Sequence, residues 1–255
     1  MRFVWLLAAL LAAPAQATLT KTFAAVAAED GVTGSLATAT FDSTGYTHVV
    51  VSFKHEGAAT TLTPSDNKSS TGWVSLTKES HTNGDLHGQM YYAPIGTPGT
   101  GHIVTITLGA NRDWKIMLVW LVNASDGNGV ELDDETFAEG TSNAPDAGSL
   151  DTTGAAVVSF FAVAPYASGS YTATGWSEDH DGAVDSVSGY GSSRGPETTS
   201  PIDPAASWSS NNAWCATALS LREPAGGGGA VVPIFHNQQA ANHEFWLPGL
   251  VANAR

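Results

Sequence analysis

Two short segments of the chain place a carboxylate two residues before an imidazole: Glu79-Ser80-His81 and Glu178-Asp179-His180. Because residues i and i+2 of a strand point to the same face, the carboxylate and the imidazole of each segment would emerge together. Such a pair could transfer protons or bind a metal ion. The sequence presents no third and fourth metal ligand beside them, which favours a polar, solvated hairpin tip in each half. In the second half, Asp179, His180 and Asp181 remain candidates for binding a ligand.

A separate acidic segment, from Asp126 to Glu135, carries oxygen atoms of the kind that Ca²⁺ prefers. Its candidate ligands are Asp126, Asn128, Asp133 and Asp134. Their spacing does not match an EF-hand loop. The segment is therefore predicted to be a solvated acidic loop, with a calcium site as the alternative, and no other cofactor is indicated.

Aromatic side chains in loop-like segments of the second half are candidates for stacking on a sugar or on a partner protein: Tyr166, Tyr171 and Trp208. Four tryptophans begin matching strand-like segments and are expected in the core: Trp73, Trp114, Trp176 and Trp214. The single cysteine, Cys215, lies in an apolar segment without a basic neighbour, so it is predicted to be a buried small side chain.

The sequence lacks a His-Glu-x-x-His metal motif, a P-loop and a dinucleotide fingerprint. Acidic residues are numerous enough to supply a glycosidase pair, but nothing in the sequence selects one. The chain is therefore predicted not to be an enzyme, and a β-sandwich that cleaves glycans is the least favoured alternative.

The segments that must position these residues occur twice. Val50-Val51-Ser52-Phe53 returns as Val157-Val158-Ser159-Phe160, and Thr71-Gly72-Trp73 returns as Thr174-Gly175-Trp176. The order is the same in both halves, with an offset of roughly 100 residues. Short strand-like segments separated by turns, together with few charged residues, predict an all-β protein. We expect two similar four-strand halves that complete one antiparallel β-sandwich.

Within this plan, two strands are predicted at Leu19–Val26 and Ser35–Phe41, with a turn at Glu29-Asp30-Gly31. The longest irregular regions are predicted at Asn123–Gly154 and Arg194–Ser207. Long loops in a compact domain are often functional. Since the repeated residues mainly build the fold, function is expected where the halves differ, which means these two loops and the C-terminal tail.

The two ends of the chain are predicted to lie outside the sandwich, which covers residues 18–223. Residues 1–17 have the basic start, apolar centre and small-x-small end of a secretory signal peptide. Residues 224–229 form a Gly-rich linker. Residues 230–255 form a flexible tail that is expected to dock on the sandwich or on a partner through its aromatic side chains: Phe235, Phe245 and Trp246.

The formal net charge of −14, with only 10 Lys and Arg residues, argues against binding to nucleic acid or to anionic lipid. After the signal-like segment, no stretch is long and apolar enough to span a membrane. The chain is therefore expected to be secreted or displayed at a surface.

The succession of an apolar strand, Thr-Gly-Trp, a hairpin, and Asn-x-x-Trp is similar to that of jelly-roll-like β-sandwich domains in bacteriophage and prophage virion proteins and in secreted bacterial surface proteins. It covers about Thr18 to Glu223 and closes on Leu219-Ser220-Leu221-Arg222-Glu223. The resemblance implies a module that decorates a capsid, tail, fibre or cell surface and contacts neighbouring subunits or host glycans. The signal peptide departs from the virion pattern, because virion proteins usually assemble in the cytoplasm, and this keeps the secreted alternative open.

The sequence therefore predicts a non-catalytic structural or adhesive surface module that self-associates or contacts other structural subunits or host-surface glycans. A secreted carbohydrate-binding protein, assisted by calcium, is the alternative.

Overall fold

The computed structural model describes residues 18–76, 79–81, 86–124, 129–153, 157–165, 171–197, 201–209 and 211–224, with 79–81 as backbone. The predicted signal peptide, the linker beyond residue 224 and the tail lie outside these ranges. So do several candidate residues: Asp126, Asn128, Tyr166, Phe235, Phe245 and Trp246.

The described residues form sixteen strands and no helix. Their bounds are β1 Leu19–Ala37, β2 His48–Glu56, β3 Leu62–Asp66, β4 Val74–Ser75, β5 Glu79–His81, β6 Leu86–Pro94, β7 Val104–Ala124, β8 Glu131–Ser142, β9 Leu150–Asp151, β10 Val157–Pro165, β11 Tyr171–Thr172, β12 Ser177–Val184, β13 Val187–Glu197, β14 Pro201–Ile202, β15 Ser207–Trp208 and β16 Asn212–Arg222. In this described part, no helix is long and apolar enough to cross a membrane.

Two large antiparallel sheets confirm the predicted all-β sandwich. The first sheet has the order β1-β7-β2-β6-β4, with β3 paired to β7 and β5 paired to β6. The second sheet has the order β8-β16-β10-β13-β12. The remaining strands form two short ribbons, β11 with β15 and β9 with β14. Jelly-roll connectivity remains a prediction.

The duplication in the sequence corresponds to a duplication in strand order. Among the strands that belong to each large sheet, the first pairs with the last, and the last also pairs with the second, which gives β1-β7-β2-β6-β4 and β8-β16-β10-β13-β12. The repeated Val-Val-Ser-Phe segments lie on β2 and β10, which occupy equivalent central places. Each half therefore forms one whole sheet, and the sheets contain seven and five strands, where the sequence predicted four in each half.

The two sheets pack face to face through large apolar side chains. Val50 and Trp120 of the first sheet belong to the same apolar cluster as Phe160 and Leu219 of the second sheet. All four are fully buried. Two glycines of β13 permit this close approach. A Cβ at Gly191 would lie 2.8 Å from the Trp120 ring, and a Cβ at Gly189 would overlap the side chain of Ile116.

The outer face of each sheet is also covered, which explains why the central strands are apolar on both faces. On the first sheet, Val51 and Phe53 share a cluster with Val104 and Ile106 at the start of β7. That part of the 21-residue strand therefore folds over the sheet to which its later residues belong. On the second sheet, the short ribbons and their loops form the cover.

A buried lysine holds the bend in β1 and β7. The Lys115 ammonium donates to the carbonyl oxygens of Gly31, Arg112 and Asp113 at 2.6, 2.6 and 2.9 Å, and Glu29 lies 3.5 Å away. Lys115 is fully buried, so these acceptors replace its hydration shell. Here the prediction of two strands separated by a turn was wrong. Because pairing with β7 continues through register shifts around residues 30–35, β1 remains one bulged strand.

The two predicted irregular regions contain strands as well. Residues 131–142 form β8, a complete edge strand paired with β16 along its length. In the other region, β13 continues to Glu197, and β14 and β15 follow. Polar composition made both regions resemble loops. An edge strand and short surface ribbons tolerate polar side chains because only part of each is buried.

Candidate functional site

A polar cleft opens on the outer side of the second half. It has a volume of about 300 Å³ and is lined by Thr172, Thr174, Asp203, Ala205, Ala206 and Ser207. This is at the small end of the range for ligand pockets, about 300–1,000 Å³. The three hydroxyl-bearing residues and Asp203 are exposed, while Ala206 is buried at the base.

The β11–β15 ribbon determines which side chains face this cleft. Tyr171 pairs with Trp208, and Thr172 pairs with Ser207. Directly paired residues of antiparallel strands share a face, and the next pair takes the opposite face. The two aromatic rings therefore point into the core, where they are 2% and 5% exposed, and the two hydroxyls point outward.

This alternation corrects the sequence prediction for Tyr171 and Trp208, which were expected to stack on a ligand. Tyr171 stacks on Tyr190 with ring centroids 4.8 Å apart, and Trp208 packs on the same Tyr190 ring at 6.1 Å. The Trp208 indole N–H donates to the Ser142 carbonyl at 3.1 Å, and burial raises the pKa of the Tyr171 phenol. Their faces are occupied, so these rings support the cleft from below.

A second loop joins the cleft and adds a carboxyl group. Asp146 pairs with Ala205 in an isolated bridge, and the Asp146 carboxyl lies within hydrogen-bonding distance of Asp203. Partial burial, followed by the neighbouring Asp146 charge, raises the pKa of Asp203. Backbone hydrogen bonds also tie the loops together, from the Ala147 N–H to Pro204 O at 3.3 Å and from the Ala206 N–H to Pro145 O at 2.9 Å.

The residues that line the cleft were not predicted from the sequence. Asp203, Ala205, Ala206 and Ser207 lie within Arg194–Ser207, one of the two regions where function was expected, whereas Thr172 and Thr174 lie outside both. Thr174 belongs to the repeated Thr174-Gly175-Trp176 segment, which was expected to build the fold. A signal was present in the ribbon sequences Tyr171-Thr172 and Ser207-Trp208. Each pairs an aromatic residue with a hydroxyl, and two-residue alternation sends one inward and the other outward.

The candidate residues of β12 take structural roles. The Asp179 carboxylate accepts a hydrogen bond of 2.8 Å from the indole N–H of Trp120, which connects the two sheets. His180 stacks on Phe23 with centroids 6.2 Å apart, and burial lowers the pKa of its imidazole. Asp181 accepts a hydrogen bond from the Tyr171 backbone, while burial raises the pKa of its carboxyl group.

The described calcium candidates are engaged with protein groups. Asp133 accepts hydrogen bonds from the backbone and hydroxyl of Thr153 at 2.9 and 2.6 Å and lies 3.2 Å from the Arg222 guanidinium. Asp134 accepts from the backbone N–H of Asp151 at 2.6 Å. Among the residues that the structure describes, no group of three His, Cys, Asp or Glu side chains could hold a metal ion.

Two further polar arrangements have the residue types of catalytic sites but structural surroundings. Asp66 accepts a 3.0 Å hydrogen bond from His102, and both side chains are fully buried beneath Phe41, so no substrate reaches them. Gly191-Ser192-Ser193-Arg194-Gly195 has the Gly-x-Ser-x-Gly spacing of a nucleophile elbow, so a prediction that the sequence contains no such motif is wrong. It lies inside strand β13, whereas an elbow joins a strand to a helix.

Among the residues that the structure describes, the cleft thus places exposed polar side chains on a concave surface. Comparison of the chain with protein-family models, with curated proteins and with solved structures found no match to any of them.

Proposed function

We propose that this chain is a non-catalytic adhesive module of an extracellular or virion surface, and that it binds a glycan through the polar cleft. The observation that carries this proposal is the outward-facing row of hydroxyls at Thr172, Thr174 and Ser207 beside the Asp203 carboxyl. Sugars present several hydroxyl groups at short spacing. Protein hydroxyls, which donate and accept, and a carboxylate, which accepts, complement them.

Rigid support strengthens the proposal. The cleft rests on the buried Tyr171, Tyr190 and Trp208 rings, and its two loops are joined by backbone hydrogen bonds. A site held in one shape before binding loses less conformational freedom when a ligand arrives. This matters for a cleft of about 300 Å³, which offers limited contact area.

The short distance between the carboxyl groups of Asp146 and Asp203 supports glycan binding over glycan cleavage. Asp146 and Asp203 lie within hydrogen-bonding distance of each other. The two carboxyl groups of a glycosidase are separated by roughly 5–10 Å so that a sugar or a water molecule fits between them. Assistance by calcium is not part of this proposal, because the described residues provide no three-ligand group.

A glycan array probed with the full chain tests the proposal. We expect binding to be weakened about three- to tenfold by Thr174→Val, since one hydrogen bond contributes about 0.5–1.5 kcal/mol. Thr63→Val is the matched control, because Thr63 is also an exposed threonine and lies in β3 of the other sheet. Silence on a broad array, or equal effects of both substitutions, would count against the cleft. A defined polymer in light scattering, together with silence on the array, would favour a purely structural subunit.

A further inference from the structure

The cleft presents one sign of charge to its ligand. Asp203 is its only ionisable lining residue, and the carboxyl group of Asp146, which is not a lining residue, lies beside it. No lysine, arginine or histidine is among the six lining residues. A nearby cation, Arg194, packs under Gly175 but is paired with Glu197 at 2.7 Å.

We propose that the cleft selects neutral sugars and rejects sugars that carry a carboxylate or sulfate. This inference rests on the proposed function and adds the substrate class. A carboxylate accepts hydrogen bonds only, so Asp203 pairs naturally with two neighbouring hydroxyl groups of a sugar ring. An anionic substituent in the same place offers no donor and meets a like charge, and such juxtapositions discriminate strongly between partners.

The discrimination depends on Asp203 staying in place when a charged ligand approaches. The Asp203 carbonyl accepts a 3.1 Å hydrogen bond from the Ala205 N–H, and Asp146 pairs with Ala205 from the facing loop. Pro204, which lies between Asp203 and Ala205 in the sequence, restricts the backbone further. Since the loop is fixed at both sides, the backbone of Asp203 stays in place, and the hydrogen bond with Asp146 holds its carboxyl group beside the cleft.

The size of the cleft limits which sugars fit. About 300 Å³ suits a single ring better than an extended chain, so the sugar recognised is a terminal or branch residue of a glycan. The formal net charge of −14 also favours neutral ligands, since it opposes the approach of polyanionic glycans at low ionic strength.

The test compares matched sugars that differ only in charge: hexoses from the array and their uronic acids, titrated by calorimetry against the full chain. We expect the neutral sugar to bind at least about tenfold more tightly at low salt, with a smaller ratio at high salt because exposed charges are screened. Asp203→Asn should shrink the ratio, since the amide keeps the shape and removes the charge. Asp185→Asn is the control: it removes the same charge from the β12–β13 turn, outside the cleft.

Three outcomes are distinguishable. A neutral preference that Asp203→Asn reduces and Asp185→Asn leaves intact supports the inference. Equal or tighter binding of the uronic acids overturns it while the proposed function stands. No binding of any sugar, with the array also silent, overturns the proposed function and this inference with it.

Discussion

The hydrogen bond between Trp120 and Asp179 should be a main stabilising tie between the two sheets. Trp120 is fully buried, and its indole N–H donates to the Asp179 carboxylate at 2.8 Å. Asp179→Ala leaves that donor unsatisfied in the interior. Because a buried unpaired group costs about 1–3 kcal/mol, and the lost bond has a charged acceptor, we expect the free energy of unfolding to fall by about 2 kcal/mol.

Asp179→Asn is the matched control, because its amide oxygen can still accept from the indole. Both substitutions lose the favourable Asp179 charge near Lys21, so their difference isolates the hydrogen bond. Asparagine should therefore cost less than alanine by about 1 kcal/mol or more. Urea unfolding followed by far-ultraviolet circular dichroism measures these differences, provided that the slope with urea is unchanged.

A double-mutant cycle with Trp120→Phe completes the test. Phenylalanine has no indole N–H, so Asp179→Ala should cost much less in that background. Equal losses for alanine and asparagine, or a coupling energy near zero, would refute the claim that this bond ties the sheets together.

Three other predictions concern stability. Lys115→Met should lower the free energy of unfolding by about 2 kcal/mol, because it removes three part-buried hydrogen bonds from one buried ammonium to carbonyl oxygens. Lys68→Met, which removes one exposed bond, should have a small effect, and equal melting temperatures for the two variants would contradict this. Gly191→Ala should lower the free energy of unfolding by about 1–3 kcal/mol, since its Cβ would lie 2.8 Å from an atom of the Trp120 ring. Gly31→Ala is the control, because its Cβ meets no atom closer than 3.6 Å, and equal urea midpoints for the two variants would contradict the prediction. Burial lowers the pKa of His48 from 6.5 to about 4, so between these two pH values the unfolded chain binds a proton that the folded chain does not. The free energy of unfolding should therefore fall as the pH drops from 6.5 to 4, by up to about 3 kcal/mol. His48→Gln should lose this part of the pH dependence of stability, and an unchanged dependence would show that His48 is not its source.

The fold could be predicted from the sequence because its main signals are local. Val50–Phe53 and Val157–Phe160 are apolar on both faces, as strands covered on two sides must be. The repeat then pointed to two equivalent sets of strands. Long-range pairing was harder to predict. Residues 131–142 carry a polar, acidic pattern, and they become a strand because β16 offers a partner along their whole length.

The candidate site was predictable only in part. The unrepeated region Arg194–Ser207 contributes four of the six lining residues, but Thr172 and Thr174 come from outside the predicted loops. Aromatic side chains drew attention to Tyr171 and Trp208, which are buried and do not line the cleft. Whether a ring in a short ribbon faces solvent depends on its pairing register, and one residue of difference reverses every side chain. The meeting of Asp146 with Asp203 is a tertiary event with no local signal.

The chain passes from the first sheet to the second only once among the described residues, between the end of β7 at Ala124 and the start of β8 at Glu131. The described strands of each large sheet therefore come from one half of the sequence. A single cut in that connection would therefore turn one folded chain into a complex of two fragments, held by the apolar faces around Trp120 and Phe160. Its melting temperature would then depend on concentration, and the two halves could be made separately and reassembled as a split protein.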